Sequence, residues 1–508
     1  MRHQRSFTKT SVYAFLSASY PKIAQSVPPV LVTNSFKRQI AAHVQPQTSY
    51  MNTANLSSLA NIKPGTKILF ANTPADGHFN PLTGIAFHLK SIGCDVRWYT
   101  AERYRTKIEN LGLSFYPLQR VVDFFADKAM LNTPERNKRK SPISRLNFDI
   151  INVFILRGAE FYEDIKEIRE NFAFDLVVAD VSFTGIPFIA DLMQVPVVSV
   201  GIFPLANTSK DLPPSGFGMT PATDTFSRVK QAFLRKLARN FLFAASEKVL
   251  KREFDRYGIS SDNEFLFDVL YTKSTLVLQS GCPGFEYKRS DLSKKIKFVG
   301  ALLPYSASKK PSHWFNERIR RYKKIILVTQ GTVESDVNKI LVPTLEAFKN
   351  TDVLVIATTG GSGTAQLRER FPEANLIIED FIPFEAVMPH VHVYITNGGY
   401  GGVMLGIQHN LPLIVAGVHE GKNEINARIG FFKLGINLKT EAPKPVQIQQ
   451  AVTAVFTNPV YRNNVRKLNK ELDTYKPAIL CEHYIAQLVP WRKKVSRSLH
   501  KPVSELIY

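Results

Sequence analysis

Short apolar runs alternate with helix-spaced stretches along most of this chain. Residues 67–71 (KILFA) are almost wholly apolar, residues 82–89 (LTGIAFHL) repeat apolar positions every three or four residues, and 94–100 (CDVRWYT) is strand-like again. Runs of the first kind recur at 176–180, 195–201, 275–279 and 297–299. A strand that is apolar at nearly every position is buried on both faces, and strand, loop and helix in alternation mark a parallel sheet. A polar, charged, proline-containing stretch follows at 305–321, and then a second series begins at 325–329, 353–357, 376–379, 393–396 and 413–416. The pattern predicts an α/β protein of two sheet domains, 61–304 and 323–480, joined by a linker at 305–322 and closed by a helix and tail at 481–508. In open α/β sheets ligands sit at the carboxyl ends of the strands, so the two domains are expected to share a cleft.

Four segments depart from this rhythm. An aromatic-rich stretch carries Phe124, Phe125, Phe148, Phe154, Phe161 and Tyr162, and residues 203–223 are rich in proline and glycine; both suit the walls of an apolar pocket over a sheet edge. A basic amphipathic helical region follows at 228–257. Residues 1–60 hold no Asp or Glu and no sustained period. They read as a basic, disordered extension outside the fold, either an organelle-type presequence or a non-native leader with Met51 as the true start.

Composition changes this picture little. The chain has 508 residues, 44% hydrophobic and 21% charged, which is ordinary for a globular protein of two or three domains. No apolar run reaches the ~18–20 residues of a membrane span. Cys94, Cys282 and Cys481 are too few and too far apart for a disulfide framework or a zinc spacing, so reduced thiols in a cytoplasmic protein are expected. The net charge of +22 invites a nucleic-acid reading, but the basic residues lie in dispersed patches with no zinc-finger, RNP or helix-turn-helix pattern beside them. Solvated basic surface is the expectation, with weak peripheral membrane contact as a lesser one.

Candidate chemistry gathers in two places. Asn397-Gly398-Gly399-Tyr400-Gly401-Gly402 follows the 393–396 strand and precedes an apolar, helix-length segment. Four glycines in such a loop leave its backbone N–H groups free to face a ligand, and the next helix adds the positive end of its dipole; together they suit a phosphate. In the first domain, His78 lies in the loop after the first strand, and Asp180 ends the 176–180 strand. A lone loop histidine or a strand-end carboxylate is by itself as well explained by structure.

The surrounding residues carry a resemblance. Gly77-His78-x-x-Pro81, Val328-Thr329-Gln330-Gly331-Thr332, the sequence ITNGGYGGV and the run Glu420-x-Lys422-x-Glu424-x-x-Ala427-Arg428 together resemble the family 1 glycosyltransferases of GT-B fold. The similarity is greatest to the bacterial branch that glycosylates small lipophilic acceptors such as macrolides and flavonoids. It implies two Rossmann-like domains facing each other across a cleft. It also implies an inverting hexosyl transfer from a nucleotide-diphosphate sugar, most naturally a UDP-sugar, to an acceptor hydroxyl, with no further cofactor and no metal; no Asp-x-Asp motif occurs.

Carried onto this chain, the resemblance makes His78 the general base and Asp180 its partner. An imidazole with an ordinary pKa near ~6.5 suits that work, and a carboxylate can orient it. The leaving diphosphate falls to Gly399, Gly401, Gly402, Asn397 and the Thr332 hydroxyl, the base to Phe381 and Ile382, and the donor sugar to Glu420. Three positions depart from the family pattern: Asn397 replaces a phosphate-binding histidine, Leu405 a ribose-binding acid and Gly421 a glutamine. The first is usual for this branch; the other two leave the nucleotide and the sugar open. Two further readings stand beside this one: a glycolipid or sterol glycosyltransferase working at a membrane surface, and a sugar-nucleotide-binding protein without turnover.

Overall fold

The computed structural model describes residues 62–126, 133–305, 316–331 and 334–489. Its first half is a seven-stranded parallel sheet in the order β3-β2-β1-β4-β5-β6-β7. The strands are β1 (Lys67–Ala71), β2 (Asp95–Thr100), β3 (Ser114–Pro117), β4 (Leu176–Asp180), β5 (Val197–Gly201), β6 (Leu276–Ser280) and β7 (Ile296–Gly300). The second half is a six-stranded parallel sheet in the order β10-β9-β8-β11-β12-β13. Its strands are β8 (Lys324–Thr329), β9 (Val353–Thr358), β10 (Leu376–Glu379), β11 (Val393–Thr396), β12 (Leu413–Val415) and β13 (Gly435–Asn437).

Both sheets therefore run outward in opposite directions from a central pair, β1/β4 in the first and β8/β11 in the second. At such a reversal the connecting loops diverge and open a crevice, which is where doubly wound sheets bind ligands. The two-domain GT-B architecture read from the sequence is the one observed. The central strands carry apolar side chains on both faces, as Ile68, Leu69, Phe70 and Ala71 of β1 do, and each sheet is covered on both sides.

The divisions between the units differ in detail from those expected. A short turn at Glu317–Arg320 buries Ile319 in the second domain's core, so the segment before β8 already belongs to that domain. Residues 306–315 of the expected linker, the 1–60 extension and the end of the 481–508 tail lie outside the described residues. The last helix among the described residues begins at Pro477, a residue suited to a first helical position, and runs to Ala486. Its Leu480, Cys481 and Ile485 enter the first domain's core, so this helix crosses back onto the first domain. All three cysteines are buried free thiols.

Candidate active site

The helix Asp76–Ser91 starts directly after the turn that leaves β1, and His78 lies in its first turn rather than in a loop. The backbone N–H groups of His78 and Phe79 both donate to the Ala75 carbonyl, which fixes the histidine at the helix mouth. Asp180 stands at the end of neighbouring β4, and its carboxylate is fully buried. One oxygen accepts from the Thr73 N–H at 2.7 Å. The other accepts from His78 Nδ1 at 2.8 Å, the Ser182 N–H at 3.0 Å and the Ser182 hydroxyl at 2.5 Å.

Burial alone would push this carboxyl up. The charge of His78 and the hydrogen bonds from His78, Ser182 and Thr73 outweigh that effect, and Asp180 is held below the ordinary carboxylate value. An ionised carboxylate only accepts, so Nδ1 must carry the hydrogen, and in the neutral imidazole Nε2 is then the atom with the free lone pair. Ser182 Oγ also lies 2.9 Å from His78 Nδ1. Nothing in the sequence singled out this serine; its one sign is its position two residues beyond a strand-end aspartate.

A narrow apolar pocket opens beside this group. Thr73, Pro74, Ser182 and Thr184 line it together with Phe124, Phe125, Phe154 and Phe161. Four of the six aromatic residues expected to line an apolar site do so. Phe148 instead lies under the Arg139 guanidinium, and Tyr162 packs on Phe188 and Tyr257.

In the second domain the glycine-rich loop leaves β11 and becomes a helix at Tyr400–Gln408, so Gly401 and Gly402 sit in its first turn. The Val403 N–H returns to the Gly399 carbonyl at 2.9 Å, and Gly399, at the cap position, offers no side chain to the N–H groups before it. Those N–H groups have no partner within the helix. A Cβ on Gly401 would meet nothing within 4 Å, so the protein's own packing does not require glycine there. Gly398 is the opposite case. It has φ +88°, and a Cβ would lie 1.9 Å from Asn426 Oδ1.

Asn397 holds the loop in shape. Its amide N–H donates to the Gln330 carbonyl, and its oxygen accepts from the Gly399 N–H at 3.3 Å. The loops that follow β8 and β11 are thus tied together at the reversal point. Thr332, assigned to the diphosphate from the sequence, lies outside the described residues.

The remaining sequence candidates surround this point. Phe381 is 68% exposed after β10, whereas Ile382 beside it is buried. The Gly360–Gly361 turn is fastened next to Phe381 by the Gly360 N–H donating to the Asp380 carbonyl at 2.9 Å, and a Cβ placed on Gly361 would lie 4.0 Å from the Phe381 ring. Glu420 adopts φ +57° in the loop after β12, with a carboxylate oxygen 2.6 Å from Lys422 Nζ.

The two halves meet. The helices Asp76–Ser91 and Tyr400–Gln408 approach each other across the domain interface. The Tyr400 hydroxyl donates to the Ser280 carbonyl at the end of β6 at 2.7 Å. Further along the interface, Arg428 is buried and pairs with Glu286 of the first domain at 3.0 Å and with Glu424 at 3.2 Å. Glu424 in turn accepts from the Gly216 and Gly218 N–H groups at 2.9 and 2.8 Å. The 203–223 segment, expected as a pocket wall, is therefore fastened to the opposite domain.

Comparison with known proteins bears on this arrangement. Residues 343–485 match the family described as erythromycin biosynthesis protein CIII-like, C-terminal domain. The chain is 31% identical over 408 residues to 4'-demethylrebeccamycin synthase of Lentzea aerocolonigenes, spanning 80% of this chain and 96% of that protein. It is 30% identical over 447 residues to UDP-glucosyltransferase 1 of Beauveria bassiana, spanning 83% and 94%. The crystal structure of the calicheamicin glycosyltransferase CalG4 superposes with a TM-score of 0.65 at 20% identity, covering 84% of this chain and 99% of that one.

Proposed function

Because the chain belongs to the UDP-glycosyltransferase-like family 1 and is a glycosyltransferase of GT-B fold, we propose that it moves a sugar from a UDP-sugar to a hydroxyl of a small lipophilic acceptor with inversion at the anomeric carbon. The observation that carries this reading is the pairing of reversal points. An oriented histidine stands at one, an open helix N-terminus stands at the other, and the helices they begin lie against each other.

In this reading the acceptor hydroxyl approaches His78 Nε2. Its O–H bond breaks and the proton goes to the imidazole while Asp180 stabilises the cation that forms. The oxygen bonds to the anomeric carbon as the bond from that carbon to the diphosphate breaks, and the electron pair leaves with the diphosphate. One displacement from the opposite face inverts the centre. The departing charge meets the N–H groups of Gly401 and Gly402 in the first helical turn, and that of Gly399, which rests on Asn397 Oδ1 until then. Donors of that kind are worth most where charge develops. Phe381 offers an exposed ring for the nucleobase, with Ile382 packed behind it. Glu420 would receive the sugar hydroxyls, sharing its carboxylate with Lys422. The aromatic pocket beside Thr73 and Ser182 suits a lipophilic acceptor.

A mass-spectrometric screen of UDP- and dTDP-sugars against flavonoid, macrolide and sterol acceptors tests the proposal. Transfer from a UDP-sugar to a soluble phenol or macrolide is expected, and donor binding without transfer to any acceptor contradicts it. A contrast within the glycine loop tests the diphosphate seat. Gly401→Val should leave the melting temperature unchanged yet weaken donor binding by about tenfold or more, because it occupies space kept for the ligand. Gly398→Ala should lower the melting temperature, because a left-handed backbone and a clash with Asn426 act together. Calorimetric titration with UDP and thermal unfolding read out both; equal effects of the two changes on stability would count against the seat.

A further inference from the structure

The helix Thr225–Leu237 and the turn Ala238–Leu242 that extends it display an apolar stripe to solvent. Phe226, Val229, Phe233, Leu237 and Phe241 recur every three or four residues, and Phe226, Phe233 and Phe241 are 79%, 63% and 74% exposed. The stripe is not an unfinished core face, because the opposite side of the helix is already packed. Gln231 is buried and donates to the Thr220 carbonyl at 2.9 Å, Arg235 donates to the Leu212 and Lys210 carbonyls, and Ala238 and Leu242 join the cluster around Ile150 and Ile155. Asp224 caps the start through the Ser227 N–H at 2.9 Å. The helix is thus held rigidly with its phenylalanines outward.

Charge identifies what such a face meets. Between residues 225 and 242 there are Arg228, Lys230, Arg235, Lys236 and Arg239 and no acidic residue, within a chain of net charge +22. Arg228, Lys230 and Lys236 are exposed alongside the stripe. A basic helix with aromatic residues on its outer face is the design of an interfacial helix, which sinks its rings to the acyl boundary while its cations meet anionic headgroups. A second copy of this chain fits less well. A symmetric contact would set the same lysines against one another, and a stripe one side chain wide falls short of the ~800 Å² per partner of a stable interface.

We propose that this helix docks the protein on an anionic lipid bilayer. Docking of this kind is peripheral, since among the described residues no helix is long and apolar enough to cross a membrane. The Ile150–Ile155 turn beneath the helix also supplies Val153 and Phe154 to the pocket beside Thr73 and Ser182. The bilayer would therefore lie one packing layer from that pocket, in position to deliver a membrane-partitioned acceptor.

Flotation of the full-length chain with vesicles tests this. Phosphatidylcholine vesicles containing phosphatidylglycerol should carry the protein up the gradient, pure phosphatidylcholine should not, and high salt should weaken the binding. Phe226→Ser/Phe233→Ser should lower partitioning by about tenfold or more, and Lys230→Gln/Lys236→Gln by about fivefold or more. Both variants should keep the wild-type melting temperature and turnover of a water-soluble acceptor. Three results would overturn the proposal: no vesicle binding by the wild type, binding undiminished in the phenylalanine variant, or a concentration-dependent dimer in ultracentrifugation that this variant abolishes.

Discussion

His78→Ala is expected to slow transfer to an alcohol acceptor by about 10²–10⁴-fold while donor affinity stays within about twofold of wild type. The size is that of a lost general base; donor affinity survives because the nucleotide is assigned to the other domain. Asp180→Asn should cost a comparable factor for a different reason. The substitution places an N–H₂ where the Thr73 N–H or the Ser182 N–H and hydroxyl now donate, so a buried donor is left unsatisfied. It also removes the charge that stabilises a protonated His78 and leaves at most a neutral amide oxygen to hold the Nδ1–H tautomer. Stability should fall as well, by about 1–3 kcal/mol. Asp180 has a depressed pKa in the fold, so its contribution to stability is complete above the ordinary aspartate value of ~3.9 and is lost as pH falls through the lower folded value. Denaturation of wild type and variant at several pH values checks the sign, since their difference should shrink only at the acid end.

Arg428→Leu is expected to produce the largest loss of stability, about 3–5 kcal/mol. Burial by itself disfavours the guanidinium charge, and the carboxylates of Glu286 and Glu424 outweigh that and keep it protonated. The guanidinium also lies over the Tyr287 ring at 4.2 Å. Removing it leaves two carboxylates facing each other near the domain interface. One of them, Glu424, anchors the 203–223 segment through Gly216 and Gly218. Arg428→Lys should recover only part of the loss, because an ammonium cannot reach both carboxylates and cover the ring at once. Thermal unfolding gives the order expected: wild type, then lysine, then leucine. A leucine variant as stable as wild type would mean that the pair does not hold the two domains together.

The central strands were legible because burial on both faces forces a continuous apolar run, and their positions shifted by one or two residues at most. Two of the four edge strands, β3 (SFYP) and β13 (GIN), gave no such signal because both are short and mostly half-buried, whereas edge strand β10 (LIIE) is buried enough to show. The starts of the two key helices were also obscured. His78, Gly401 and Gly402 look like loop residues because glycine and proline are poor helix formers, yet a helix's first turn tolerates them and leaves its N–H groups free. The His78–Asp180 pair was reached through a family pattern, not through spacing, because 102 residues separate the partners. Ser182 and Glu286 carried no pattern, and the family run that ends at Arg428 did not point to its partner. Their roles arise only when the sheet reversal and the domain interface bring them together.

The most direct test of a histidine base compares wild type and His78→Ala across acceptors of graded hydroxyl acidity, from aliphatic alcohols to nitrophenols. An acceptor already ionised at the assay pH needs no base, so the wild-type advantage should shrink steadily as the acceptor becomes more acidic and nearly vanish for the most acidic phenol. A rate ratio that stays the same across the whole series would mean that His78 serves the structure and not the proton transfer, and would contradict this account.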